Sequence, residues 1–149
     1  MIVTSVGRPI EILLVEDDPG DVKLTREALR ENRLKHNLGV VTDGVEAMRY
    51  LRREGDYAGS ARPDLVLLDL NLPRMDGRAV LKELKNDPLL RSLPIVVLTT
   101  SRSEEDIVRT YDLHVNCYIA KPLGLEEFIK AVNAIATFWF CVAELPMKS

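Results

Sequence analysis

The sequence predicts an α/β fold in which helices cover both faces of a parallel β-sheet. Short apolar runs alternate with amphipathic stretches along the chain, which is the pattern of repeated strand–helix units. Parallel strands need crossover connections, and these connections place the helices on the sheet. At 149 residues with an apolar fraction of 46%, the chain has the size and composition of one globular domain.

Five strands and five helices are predicted in alternation. Each strand is a short apolar run, as expected where both faces of a sheet are covered, and the strands are residues 12–15, 39–41, 65–68, 95–98 and 118–120. Each strand is followed by a stretch with helical spacing of apolar residues, and the helices are residues 21–31, 45–53, 78–86, 104–111 and 125–142.

The connections between these elements carry their own signals. Asp18 and Pro19 suit the start of the first helix. Asp43-Gly44 and Asp76-Gly77 are turn signals before the second and third helices. Residues 55–63 form the longest irregular connection, which is predicted to be a mobile surface loop.

Composition excludes several classes of function. The net charge of −3 argues against nucleic acid as a partner. No apolar stretch approaches the ~20 residues that cross a bilayer, and residues 1–7 lack the basic region and apolar core of an export signal. A cytoplasmic protein without a membrane partner is therefore expected. Cys117 and Cys141 fit neither a disulfide framework nor a four-ligand metal site.

Polar residues follow the predicted strands where open α/β sheets place their chemistry, at the carboxyl ends. Asp69 follows the third strand, Glu16, Asp17 and Asp18 follow the first, and Thr99 follows the fourth. The carboxylate of Asp69 is therefore the predicted reactive group.

The acids after the first strand lie close to Asp69 if the first and third strands are neighbours. Like charges repel at short range, and a hard divalent cation relieves the repulsion. Magnesium suits a site made of one or two carboxylates, a main-chain carbonyl and water. The alternative is that Glu16, Asp17 and Asp18 only cap the first helix and lie in solvent.

Two further residues suit phosphoryl transfer to Asp69. Lys121 ends the fifth strand before Pro122, and a cis bond there would turn its ammonium toward the acids, where it would neutralise a phosphoryl group. A lone lysine at a strand end is otherwise a solvated charge. The Thr99 hydroxyl would donate to a phosphate oxygen. Neither histidine is placed to act as a general base, so no sustained enzymatic turnover is expected.

In these features the chain resembles the receiver domain of two-component response regulators, and the resemblance covers residues 10–140. The residues that carry it occur in order at the ends of strands one, three, four and five of the predicted five: Glu16-Asp17, Asp69 with Pro73 and Gly77, Thr99, and Lys121-Pro122. The resemblance implies a flavodoxin-like sheet of order 2-1-3-4-5. It also implies phosphorylation of Asp69 by a histidine kinase, with at most weak self-catalysed transfer and dephosphorylation.

The resemblance implies a role for each site residue. Magnesium would be bound by Asp17, Asp69 and the main-chain carbonyl of Asn71, with Glu16 completing the acidic pocket through water. Lys121 would contact the phosphoryl group. In the switch, Thr99 would move toward the phosphate and the ring of Tyr118 would reorient, changing the surface around the fifth strand.

Residues 112–116 and 138–140 look like the small regulators that are paired with cyanobacterial and bacterial phytochromes, which implies a phytochrome-type kinase as partner. Two departures affect the output surface. Residues 110–116 replace the usual glycine–alanine turn, and Ser101 stands where many relatives have a larger or charged residue.

The predicted organisation is an N-terminal extension of residues 1–9, a receiver domain of residues 10–140 and a C-terminal extension of residues 141–149, without an effector domain. Phe138, Trp139 and Phe140 belong to an apolar run that cannot all face one core. We expect part of this run to form a homodimer interface. The alternative is that it folds back over its own domain.

Three other functions are less consistent with these residues. A haloacid-dehalogenase-type phosphatase needs a second acid two residues after its nucleophile, where this chain has Asn71. A flavodoxin-like cofactor binder is disfavoured because Glu16, Asp17 and Asp18 would repel the FMN phosphate. A receiver-like scaffold that works without phosphorylation is disfavoured because every expected site residue is present.

Overall fold

The computed structural model describes residues 9–31, 35–70, 72–99 and 117–120, together with Lys130 and Ala134. Within these residues five strands occur: β1 (Ile10–Val15), β2 (His36–Val41), β3 (Leu65–Leu68), β4 (Ile95–Thr99) and β5 (Cys117–Ala120). The helices are α1 (Pro19–Glu31), α2 (Gly44–Leu51) and α3 (Gly77–Asn86), and a short 3-10 helix spans Gly55–Tyr57. The predicted fourth and fifth helices lie outside the described residues, apart from Lys130 and Ala134, which are helical.

The strands form one parallel sheet in the order β2-β1-β3-β4-β5, which confirms the predicted fold class. Val15 pairs with Val41 on one side and with Leu68 on the other. Leu68 pairs in turn with Val97. This register brings the carboxyl ends of the central strands to the same edge, so the residues that follow them are neighbours.

The core lies on both faces of the sheet. On one face, Leu13 of β1 and Leu68 of β3 pack with Val80 and Leu81 of α3, and all four are fully buried. The alternate residues of the strands are also buried, as Leu14 and Leu67 are, because a strand directs successive side chains to opposite faces. Burial of each such side chain contributes about 1.5–3 kcal/mol. Packing on both faces therefore fixes the central strands, and it also fixes the positions of the residues at their ends.

Several element boundaries differ from the predicted ones by one to three residues, and two segments differ most. β2 begins at His36 because its backbone pairs with Ile10 of β1, so polar residues extend this edge strand. The connection at residues 55–63 is not wholly irregular, since it contains the 3-10 helix and Tyr57 packs against the core. No helix among the described residues has the length and apolar character that crossing a membrane requires.

Candidate functional site

Asp69 is the first residue after β3, and the sheet fixes its position. Its main-chain N–H donates to the carbonyl of Val15 at 3.1 Å, so the pairing of β3 with β1 continues one residue beyond the strand. The side chain is only 7% exposed. The carboxylate is therefore held at the carboxyl edge of the sheet by regular backbone hydrogen bonding.

Glu16 and Asp17 join Asp69 in an acidic cluster at this edge. The Glu16 N–H donates to the Val41 carbonyl at 3.0 Å, and the Glu16 side chain is buried whereas Asp17 is exposed. One carboxylate oxygen from each of the three residues lies within 4.8 Å of the others. The predicted convergence on Asp69 is confirmed for Glu16 and Asp17, and three hard oxygen donors at this spacing suit a divalent cation.

Asp18, which was grouped with these acids in the sequence, has a different role. Its Oδ1 accepts hydrogen bonds from the main-chain N–H groups of Gly20 at 2.8 Å and Asp21 at 3.4 Å. These contacts satisfy donors in the first turn of α1. The alternative of a helix cap therefore holds for Asp18, while its two predecessors form the cluster.

The loop after Asp69 turns back against the end of β3. The Gly77 N–H donates to the carbonyl of Leu70 at 2.9 Å. A Cβ at Gly77 would overlap the carbonyl oxygen of Asp69 and lie 2.6 Å from Cα of Leu70. Only a residue without a side chain permits this approach, which brings the start of α3 onto the main chain of Asp69.

A second contact with this loop was missed in the sequence. Asp43 is 6% exposed, and its Oδ1 caps α2 by accepting the Glu46 N–H at 2.8 Å. Its Oδ2 accepts a hydrogen bond from the guanidinium of Arg74 at 3.1 Å. An aspartate before a helical pattern is a signal for the cap, but the sequence carried no signal for a partner 31 positions away.

The remaining predicted site residues are only partly described. Thr99 ends β4 and pairs with Ala120 of β5, so their backbones reach the same edge of the sheet. The side chains of Thr99 and Tyr118, and all atoms of Asn71, Lys121, Phe138, Trp139 and Phe140, lie outside the described part of the chain. His36 pairs with Ile10 at the opposite edge, as expected for a residue that takes no part in the chemistry.

Two tyrosines, Tyr50 of α2 and Tyr57 of the 3-10 helix, have raised pKa values. The Tyr57 hydroxyl donates to Oε2 of Glu46 at 2.6 Å, and this bond, with burial and the Glu46 charge, raises the pKa of Tyr57. Burial, followed by the charge of Glu11, raises the pKa of Tyr50. Both phenols therefore stay protonated at neutral pH and belong to the packing of α2.

Comparison with known proteins places this geometry in a family context. Residues 12–133 match the model of the response regulator receiver domain. The response regulator Rcp1 of Synechocystis sp. is 47% identical over 138 residues, which cover 93% of this chain and 94% of Rcp1.

Two solved structures share the fold closely. The phosphorylated cyanobacterial phytochrome response regulator RcpA has a TM-score of 0.89 and 52% identity, over 93% of this chain and 99% of RcpA. The Mn²⁺-bound form of Rcp1 has a TM-score of 0.87 and 47% identity, over 93% of this chain and 100% of that structure.

Proposed function

The chain belongs to the response regulator receiver domain family, and on that basis we propose that Asp69 accepts a phosphoryl group from a histidine kinase. A receiver domain acts as a switch and not as a classical enzyme. The observation that carries the assignment to Asp69 is its place directly after β3, with its carboxylate in a cluster with Glu16 and Asp17. Such a carboxylate is positioned to attack phosphorus.

The donor set fits a hard divalent cation, and we propose Mg²⁺ as the physiological ion. Asp17, Asp69 and the main-chain carbonyl of Asn71 would hold it, with Glu16 bound through water. When bound, the ion would neutralise charge on the phosphoryl oxygens. The Mn²⁺-bound form of Rcp1 supports a divalent ion in a similar protein.

In the transfer step, a carboxylate oxygen of Asp69 forms a bond to phosphorus while the bond from phosphorus to the imidazole nitrogen of the kinase breaks. The imidazole leaves with the electron pair of that bond. The protein contributes position and charge, since phosphoryl transfer needs little else. The hydrogen bond from Asp69 N–H to Val15 holds the nucleophile. The ammonium of Lys121 and the hydroxyl of Thr99 are proposed to contact the phosphoryl oxygens.

The output is a change of surface. Movement of Thr99 toward the phosphoryl group and reorientation of Tyr118 would alter the face around β5, which then binds a partner. Similarity to RcpA supports a phytochrome-type histidine kinase as the donor. We propose residues 10–140 as the receiver unit and residues 138–140 as part of a homodimer interface. Only weak dephosphorylation is expected.

Intact-mass spectrometry after incubation with acetyl phosphate and Mg²⁺ tests the assignment. The wild-type protein is expected to gain about 80 Da, the mass of one phosphoryl group, and Asp69→Asn is expected to gain nothing. Asp64→Asn is the matched control, because Asp64 is also a buried carboxylate but precedes β3 at the opposite edge. Equal labelling of Asp69→Asn and wild type would exclude Asp69 as the acceptor.

A further inference from the structure

We infer that Asp43 and Arg74 are positioning residues for the acceptor site, because their ion pair fixes the loop that follows Asp69 to the start of α2. The inference rests on the proposed function, since it gives these residues a role in metal binding and phosphorylation at Asp69. We name the segment of residues 72–77 the acceptor loop. Three contacts with this loop carry the argument.

The first contact is the ion pair itself. Asp43 is buried, and its Oδ1 is already fixed by the Glu46 N–H, so Oδ2 is held in one orientation for the Arg74 guanidinium. The Arg74 side chain is 58% exposed and reaches inward to this single carboxylate. A charge-assisted hydrogen bond to a preoriented, buried acceptor is stronger than an ordinary surface ion pair.

The second contact is steric and lies beside the first. A Cβ at Gly44 would overlap the carbonyl oxygen of Met75, so the main chain of the acceptor loop lies directly on the first residue of α2. Arg74, which makes the first contact and directly precedes Met75, has a φ of 65°, in the left-handed region that residues with side chains rarely adopt. Such a conformation persists only where its surroundings impose it, and the ion pair and the Gly44 contact do so.

The third contact transmits the position of the loop to Asp69. Gly77, at the end of the loop, donates to Leu70 and lies against the carbonyl of Asp69. The loop is thus anchored through Arg74 and Met75 to the start of α2, and through Gly77 to the main chain of Asp69. Loss of the ion pair would release Arg74 and loosen the main chain of the acceptor loop, which directly follows Asn71, the proposed carbonyl ligand.

Two substitutions separate positioning from simple charge effects. Asp43→Asn keeps an oxygen for the Glu46 N–H but removes the negative charge, and Arg74→Met keeps the Cβ and the apolar stem. If the charges acted only at a distance, Arg74→Met would tighten Mg²⁺ binding and Asp43→Asn would weaken it. Positioning predicts that both substitutions weaken it.

Calorimetric titration with Mg²⁺ provides the first readout. We expect Arg74→Met and Asp43→Asn each to raise the dissociation constant roughly fivefold, and the double variant to match the single variants, because both remove the same contact. Arg74→Lys should recover most of the affinity. Glu83→Gln is the matched control, because it weakens the 3.5 Å ion pair of Arg52 with Glu83, two residues that line a surface pocket with Asn86, Asp87 and Pro88.

Hydrogen exchange of residues 72–77 without metal is the second readout, and it should be faster in Arg74→Met than in Glu83→Gln. Tighter or unchanged Mg²⁺ binding by Arg74→Met would overturn the positioning role. Phosphorylation by acetyl phosphate is scored separately. A wild-type protein that binds Mg²⁺ but gains no phosphoryl group would contradict the proposed function. The Mg²⁺ affinities of the variants would still test whether Asp43 and Arg74 position the metal site. A wild-type protein that binds no Mg²⁺ would contradict both.

Discussion

Asp64 and Glu11 hold each other through a pair of hydrogen bonds at the amino edge of the sheet. The Asp64 N–H donates to the Glu11 carbonyl at 2.6 Å, and the Glu11 N–H donates to Oδ2 of Asp64 at 2.8 Å. Asp64 is 5% exposed and directly precedes β3. This contact sets the register of β3 against β1, and the same register places Asp69 beside Val15 at the other end of the strand.

Asp64→Ala should destabilise the fold, because the partly buried Glu11 N–H would lose its acceptor, the buried carboxylate of Asp64. An unsatisfied buried donor costs about 1–3 kcal/mol, and we expect a loss of that size in the free energy of unfolding. Asp64→Asn retains a side-chain oxygen and should lose less. Urea denaturation monitored by circular dichroism measures both. An alanine variant as stable as wild type would show that water replaces the carboxylate.

Gly77→Ala should disturb the acceptor loop, because its Cβ would overlap the carbonyl oxygen of Asp69. We expect a loss of about 1–3 kcal/mol in the free energy of unfolding, the usual cost of overpacking. Gly59→Ala is the control, because a Cβ at Gly59 would meet no atom within 4 Å. It should change stability by less than about 0.5 kcal/mol. Equal effects of the two variants would contradict the steric argument.

Asp17→Asn should weaken Mg²⁺ binding by about tenfold or more, since it removes one of three clustered carboxylates and its charge. Asp18→Asn is the neighbouring control, because an asparagine oxygen retains the cap of α1 and Asp18 lies outside the cluster. Titration calorimetry at constant ionic strength compares them. Equal losses of Mg²⁺ affinity in the two variants would indicate that the ion is attracted by the general negative charge and is not coordinated by Asp17.

The hydrogen bond from Tyr57 to Glu46 should make part of the stability depend on pH. The bond raises the pKa of Tyr57 above its ordinary value of 10.0. The resulting stabilisation is fully present below that value and is lost as the pH rises through the raised pKa of the folded protein. At neutral pH the free energy of unfolding of the wild type should exceed that of Tyr57→Phe by about 1 kcal/mol. In strong alkali this difference in stability should disappear.

An absorbance titration of tyrosinate provides the independent check on Tyr57. Glu46→Gln removes the charged acceptor, so one late-titrating phenol should ionise at lower pH than in wild type. An unchanged titration curve would mean that the hydroxyl does not depend on Glu46.

Removal of the residues from Phe138 onward should shift the protein toward monomer if this apolar segment forms the proposed homodimer interface. Light scattering at matched concentrations measures the change in mass. Trp139→Ala and Phe140→Ala in the full-length chain are second tests, because they would weaken the same interface without shortening a chain that could then misfold. Monomeric wild-type protein with and without acetyl phosphate would contradict the interface.

Much of the fold could be predicted because a short continuous run of apolar residues indicates a strand that is buried on both faces of the sheet. The limits of β3 agree with the prediction, since both faces of this central strand are covered and every residue is apolar. The first half of β2 was missed because an edge strand tolerates polar residues such as His36 and Asn37, and only backbone pairing with β1 shows that they are extended.

The acidic cluster was predictable only in part. Because the carboxyl ends of neighbouring parallel strands meet at one edge, the sequence predicts that Asp17 lies near Asp69, and the structure confirms their proximity. Asp17 and Asp18 are chemically identical neighbours, so the direction of the backbone decides which joins the cluster and which caps α1. The pairing of Asp43 with Arg74 is a tertiary contact without a local pattern. The roles of Asn71, Thr99, Tyr118 and Lys121 stay predictions.

The acidic cluster is assembled from distant parts of the chain, and this has a consequence for folding. Glu16 and Asp17 follow β1, whereas Asp69 follows β3. The repulsion of Asp69 by Glu16 and Asp17 therefore arises only once β1 and β3 have paired, a contact that closes a long stretch of chain. A chain in which β1 and β3 have not yet paired thus escapes this electrostatic penalty, and cation uptake would report the pairing of these two strands.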